Sequence, residues 1–200
     1  MAVFLHLTKK NITAVRLYMV QSSAISVLLL LSSFDKTSIL LLLAIISTIV
    51  VKAIIAPYFF LGLIRRHRLK FAVSTYINTP VTLLIIAVLV AIAHADFLKP
   101  LALLAPAGKN LLLLSVATIL ISLFLIINRK GALSQMLGIL SLENSIVSFA
   151  LFAGLEQNAG LQLGITFNIL LWIIIATVFI SMIYRQFGSL DVTTMKKLTE

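Results

Sequence analysis

Of the 200 residues, 61% are hydrophobic and only 11% charged, where a soluble domain carries about a quarter charged residues. The composition therefore belongs to a membrane-embedded chain. No cysteine is present, which excludes disulfides, thiolate zinc sites and iron–sulfur clusters held by this chain. The formal net charge of +10 is confined largely to short loops between apolar segments, where topology accounts for it better than a nucleic-acid footprint does.

Residues 1–7 are apolar and precede Lys9 and Lys10. A signal peptide has its charges before its apolar core, so this order reads as a short interfacial stub or the remnant of a further helix. Crossing a hydrocarbon core of about 30 Å takes about 20 helical residues. Six segments meet that requirement: 13–34, 38–61, 72–95, 107–127, 131–154 and 161–184. Asp35-Lys36-Thr37, Arg65-Arg66-His67-Arg68, the stretch 96–110, Asn128-Arg129-Lys130-Gly131 and Glu156-Gln157-Asn158-Ala159-Gly160 separate them. The expected fold is all-α, a polytopic bundle of about six transmembrane helices in one domain, 1–200.

Basic residues orient such a bundle. One side collects Lys9, Lys10, Arg16, Arg65, Arg66, Arg68, Lys70, Arg129, Lys130, Arg185, Lys196 and Lys197, and the other Lys36, Lys99 and Lys109. The asymmetry predicts that both termini are cytoplasmic.

Polar residues inside apolar segments carry the functional information. Glu143 lies about 12 residues, or roughly 18 Å, into the fifth segment, and a charge near the bilayer midplane costs at least about 2.5–3.5 kcal/mol. Two uses justify it: a proton or ion path, or a protonated or paired group that holds helices together. On the same helix Ser134, Gly138, Ser141, Ser145 and Ser148 recur at spacings of four and three. They form a small-residue stripe for close helix packing, with Glu143 on nearly the opposite side and Asn144 at the stripe's edge. Lys52 is the second intramembrane charge, too deep to reach the interface comfortably. Pro57, Pro80 and the run Tyr76-Ile77-Asn78-Thr79-Pro80-Val81-Thr82 fall at comparable depth and predict a polar pocket around Lys52 between the second and third segments. Asn168, in the sixth segment, can orient water or bond a neighbouring helix but cannot carry a proton as a carboxylate does. Arg16, Tyr18 and Gln21 read as interface anchoring.

His6, His67 and His94 fall at segment ends, which does not suit bis-histidine haem ligation within a bundle. No Ser/His/Asp grouping, Gly-rich phosphate loop or pair of spaced carboxylates occurs. Neither a catalytic site, a metal site nor a cofactor is expected in this chain.

From Asn128 onward the chain resembles the small K-type subunit of complex I and its hydrogenase relatives. The basic turn Asn128-Arg129-Lys130, the helix with Met136-Leu137-Gly138-Ile139 and Glu143-Asn144, and the tail Phe187-Gly188-Ser189-Leu190-Asp191-Val192 carry the likeness. With the extra helices of 1–127 ahead of this three-element unit (128–200), the chain is similar to the component E family of hydrogenase-4 and formate hydrogenlyase-type complexes. Arg16-Leu17-Tyr18-Met19-Val20-Gln21-Ser22 and Lys52 with Pro57 look like that family's earlier helices. In the complex I subunit the first relay carboxylate would fall near Leu140, about one turn from Glu143. The second would fall at or near Asn168, where this chain has an amide.

The resemblance implies a membrane-arm subunit of a group 4 membrane-bound hydrogenase, or a related respiratory complex, in a prokaryotic cytoplasmic membrane. Such a subunit contributes to proton or Na⁺ translocation coupled to electron transfer, through Glu143, Lys52, Asn144 and Asn168. Its implied partners are antiporter-like and quinone-site-like membrane subunits and, indirectly, peripheral NiFe-hydrogenase and iron–sulfur subunits, with the lipid bilayer around them and no nucleic acid. The alternatives are a subunit of a multisubunit cation/proton antiporter and a non-transporting scaffold.

Overall fold

A computed structural model describes residues 1–33, 39–67, 69, 75–105, 108–155, 158–188 and 190. The described residues are helical, without a strand. A short helix, α1 (Ala2–Leu7), is followed by α2 (Asn11–Ser33), α3 (Ile39–Arg66), α4 (Thr79–Ala93), α5 (Lys109–Asn128), α6 (Ala132–Phe152) and α7 (Ala159–Phe187). A 3₁₀ stretch, Asp96–Leu104, links α4 to α5. Five helices are long and apolar enough to cross a membrane: α2, α3, α5, α6 and α7. This is the pattern of a multi-pass membrane protein.

The third expected span is corrected. Residues 72–74 lie outside the described residues, and α4 has only 15 residues, about 22 Å at helical rise. Its start is set by Asn78, whose side chain accepts the Val81 N–H at 3.2 Å, and by Pro80 in the first turn. Both features favour a helix beginning there and disfavour one running through. Residues 75–78, immediately before it, are not helical.

α3 is continuous but changes pitch. Pro57 has no N–H to give to the carbonyl four residues back, and its ring crowds that carbonyl. The helix widens to a π-turn at Val51–Ile55, closed by the Ala56 N–H on the Val51 carbonyl. Such bulges insert one extra residue and turn nearby side chains, and Lys52 lies inside this one.

The main core joins α2, α3, α6 and α7 through Val15, Tyr18, Phe60, Leu137, Ile169 and Ile180. A second cluster, around Leu29, Ile45 and Val147, fills another part of the same bundle. α5 and α6 approach through the small-residue stripe. A Cβ added at Gly138 would lie 2.8 Å from Ile126 Cγ1 and 3.3 Å from its backbone nitrogen. Gly138→Leu is therefore expected to cost about 1–3 kcal/mol by overpacking, read as a lower unfolding temperature in detergent; an unchanged temperature would contradict this contact.

One end of the bundle is built around the α5–α6 loop. Asn128 accepts the Tyr76 N–H on its carbonyl and the Ile77 N–H on its side chain, both at 3.0 Å, and donates to Thr82 Oγ1 at 3.2 Å. The Arg129 guanidinium donates to the Leu5, His6 and Thr8 carbonyls at 2.6, 2.8 and 2.9 Å. The Ala132 N–H donates to the Leu190 carbonyl at 3.2 Å. Segments near both ends of the chain thus meet the same loop.

α1 is more than an interfacial stub, because Ala2, Leu5 and His6 are buried. His6 Nε2 lies 3.0 Å from the Ile121 carbonyl and the ring stacks on Phe124. Burial lowers the His6 pKa from 6.5 to about 4, against the Ile121 contact and assisted by Arg129. A depressed imidazole pKa means α1 docks with neutral His6. That docking is full above pH 6.5 and weakens as pH falls toward 4, by up to about 3 kcal/mol. Amide exchange over residues 2–7, normalised to the intrinsic rate, should accelerate across that window; protection unchanged at pH 4.5 would contradict it.

Candidate functional site

Lys52, Asn144, Glu143 and Asn168 come together as two adjacent pairs in the bundle. Glu143 and Asn144 are consecutive on α6, so their side chains diverge by about 100° around the helix. Asn144 points into the packed interior and is fully buried. Its carbonyl oxygen accepts a 3.1 Å hydrogen bond from Lys52 Nζ, and its amide donates to Ser22 Oγ at 2.8 Å. Glu143 faces α7, where its Oε1 accepts from Asn168 Nδ2 at 3.0 Å.

Lys52 is 1% exposed. A cation so enclosed needs partners in place of water. The pocket expected between the second and third segments does not hold it. The run 76–82 packs against Asn128 instead, and the π-turn directs Lys52 toward α2 and α6. No direct ion pair between Lys52 and Glu143 occurs among the described residues. Their immediate partners are Asn144 for Lys52 and Asn168 for Glu143.

Hydroxyl and amide groups extend from the Asn144 pair. Ser141 Oγ donates to Gln21 Oε1 at 3.1 Å, and Ser122 Oγ lies 3.0 Å from Ser141 Oγ and 3.3 Å from Ser145 Oγ. Tyr18 is hydrogen-bonded to Ser22. These contacts tie α2, α5 and α6 together and correct the reading of Tyr18 and Gln21 as interface anchors, because both are buried; Arg16 is exposed. The spacing of four between Tyr18, Ser22 and Ser26 was the available signal for an inward polar stripe on α2. Ser26 Oγ is buried with no hydrogen-bond partner among the described residues.

The α6 stripe divides by role. Ser134, near Leu125 and Arg129, together with Gly138, Ser141 and Ser145, packs toward α5. Ser148 Oγ turns back to the Asn144 carbonyl at 3.0 Å. On the other side, α7 is fastened to α3, where Thr48 Oγ1 lies 2.6 Å from Thr166 Oγ1 and donates to the Gln162 carbonyl at 3.2 Å. α7 leans on α3 more than on α6, leaving a cleft of about 500 Å³ that runs from Glu143 and Asn168 to Ala150 and Gly160. Glu143 Oε2 is buried there without a hydrogen-bond partner.

No group of three His, Cys, Asp or Glu able to hold a metal ion occurs among the described residues. The arrangement seats an amine and a carboxyl group, each on an amide, inside an apolar bundle, with their α6 members Asn144 and Glu143 consecutive in the chain. A proton arriving at either group changes the field at the other.

No family model matches the chain, and no solved structure matches it. It is similar to an uncharacterized protein of Mycobacterium tuberculosis, with 26% identity over 188 residues, covering 93% of this chain and 85% of that protein.

Proposed function

We propose that the chain is a membrane-arm subunit of a group 4 membrane-bound hydrogenase, or a related complex I-like respiratory complex, in a prokaryotic cytoplasmic membrane with both termini inside. Its task is to pass protons, or Na⁺, across the membrane as electrons move in other subunits. The observation that carries this reading is the coupled arrangement of Lys52–Asn144 and Glu143–Asn168 within the bundle. The likeness to component E and the K-type subunit supplies the kind of complex. Redox catalysis, with its nickel–iron and iron–sulfur groups, belongs to partner subunits, and this chain contributes no cofactor.

Glu143 serves as the proton carrier and Lys52 as the charge that biases it. Asn144 holds the ammonium in place, and Asn168 orients the carboxylate. Lys52→Gln removes the cation while keeping a donor group near Asn144. Proton uptake per electron in inverted vesicles should fall severalfold, with its pH profile displaced, in a complex that still assembles. An unchanged ratio and profile would remove Lys52 from the mechanism.

The Glu143–Asn168 hydrogen bond favours a second reading, in which the pair only joins α6 to α7 and the subunit is a scaffold. Replacement of the carboxylate by an amide separates the two, because the bond survives and the proton carrier does not.

A further inference from the structure

Asn144 faces a choice that its own helix does not settle. The two ends of a side-chain amide have nearly the same shape, and the torsion that exchanges them is soft and roughly two-fold. A lysine ammonium only donates, so only the amide oxygen serves Lys52, and Oδ1 accepts from Nζ at 3.1 Å. Turned over, the amide would set its own N–H groups against the cation. Asn144 is 0% exposed, so a group within the bundle has to hold the amide in one sense.

That group lies on α2. Asn144 Nδ2 donates to Ser22 Oγ at 2.8 Å, and Ser22 is also fully buried. Other hydroxyls in these helices turn back to a carbonyl of their own helix, as Thr48 does to Ala44, Ser145 to Ser141, Ser148 to Asn144 and Thr166 to Gln162. Such back-bonding is the common habit of Ser and Thr within a helix. Ser22 makes no bond of that kind among the described residues. Its oxygen faces the Asn144 amide, and the buried Tyr18, one turn earlier on α2, hydrogen-bonds it from the other side. The hydroxyl is thereby fixed between two partners, and the amide is fixed by the hydroxyl.

We propose that Ser22, backed by Tyr18, is a positioning residue for Lys52: it holds the Asn144 amide with its oxygen toward the ammonium and so keeps the cation at one place in the bundle. This rests on the reading in which Lys52 biases the proton carrier, and it adds which residues of α2 set that bias.

The test is ¹⁵N NMR of the full chain in lipid bilayers with lysine labelled at Nζ, the Lys52 resonance being the one that Lys52→Gln removes. Ser22→Ala should shift that resonance by more than its linewidth, and Tyr18→Phe should shift it less. Ser26→Ala deletes a buried hydroxyl one turn away that has no hydrogen-bond partner among the described residues, and should leave the resonance in place. In the assembled complex, Ser22→Ala should lower proton uptake per electron severalfold and displace its pH profile, with no further effect once Lys52 is replaced by Gln. A resonance indifferent to Ser22→Ala, or moved as far by Ser26→Ala, would overturn the proposal. So would a loss of uptake in Ser22→Ala that leaves the pH profile unmoved or adds in full to that of Lys52→Gln. The resonance reports position without transport. A shift on Ser22→Ala beside parental pumping in Lys52→Gln would therefore uphold the positioning role while removing Lys52 from the pump.

Discussion

Glu143→Gln is expected to abolish electron-coupled proton translocation, or to reduce it at least tenfold, in a complex that assembles at the parental level. Glutamine keeps an oxygen acceptor for Asn168 Nδ2, which now bonds Glu143 Oε1 at 3.0 Å, so the α6–α7 contact is preserved. What disappears is a group able to take up and release a proton. Glu143→Asp retains the acid on a shorter stem and should recover part of the activity. Inverted vesicles with a pH-sensitive dye and a chosen electron donor give the ratio of protons to electrons directly. Parental pumping in the Gln variant, with the complex intact, would leave Glu143 as a packing residue and the scaffold reading in force.

Arg129→Ala is expected to release α1 from the bundle. Arg129 is 4% exposed, and its guanidinium holds three carbonyls at the end of α1, those of Leu5, His6 and Thr8. The last carbonyls of a helix lack partners within it, and a cation there also favours the helix dipole. Hydrogen bonds to a charged group contribute about 1.5–3 kcal/mol each, so the loss should be on the order of 3–5 kcal/mol. Because α1 touches the bundle through few residues, the effect should be local. Tryptic cleavage at Lys9 and Lys10 is expected to accelerate by more than about a hundredfold, while the α2–α7 bundle keeps its unfolding temperature. Lysine at 129 should rescue little, because a single ammonium does not reproduce the fork of guanidinium donors. Cleavage at the parental rate in the Ala variant would mean that α1 is held by its apolar contacts alone.

The features legible in the sequence were those set by composition and by one helix's own period. Five expected spans correspond to long helices because apolar runs of about 20 residues have few other solutions. The α6 stripe was readable because the spacing of Ser134, Gly138, Ser141 and Ser145 is a property of one helix. Which helix meets which was not readable. Lys52 stands out as a buried charge, yet its partner Asn144 is 92 positions away, and Lys52 lies within the π-turn Val51–Ile55 just ahead of Pro57, away from the expected pocket. Arg129 looked like a loop charge because its role depends on the carbonyls of α1, which periodicity does not reveal. The apolar run of the third segment overstates the helix, because Asn78 and Pro80 set its start. Asn168 is an amide where the family resemblance implies a carboxylate, and its contact with Glu143, 25 positions away, is a tertiary one that helix periodicity does not reveal.

The most direct test of membership in a redox membrane arm is native mass spectrometry of the tagged chain, purified in mild detergent from its own membranes. The account predicts a single assembly containing this chain, antiporter-like membrane subunits and a NiFe-hydrogenase module or a related peripheral redox module. Recovery of the chain alone, or with antiporter subunits and no redox module, would contradict it.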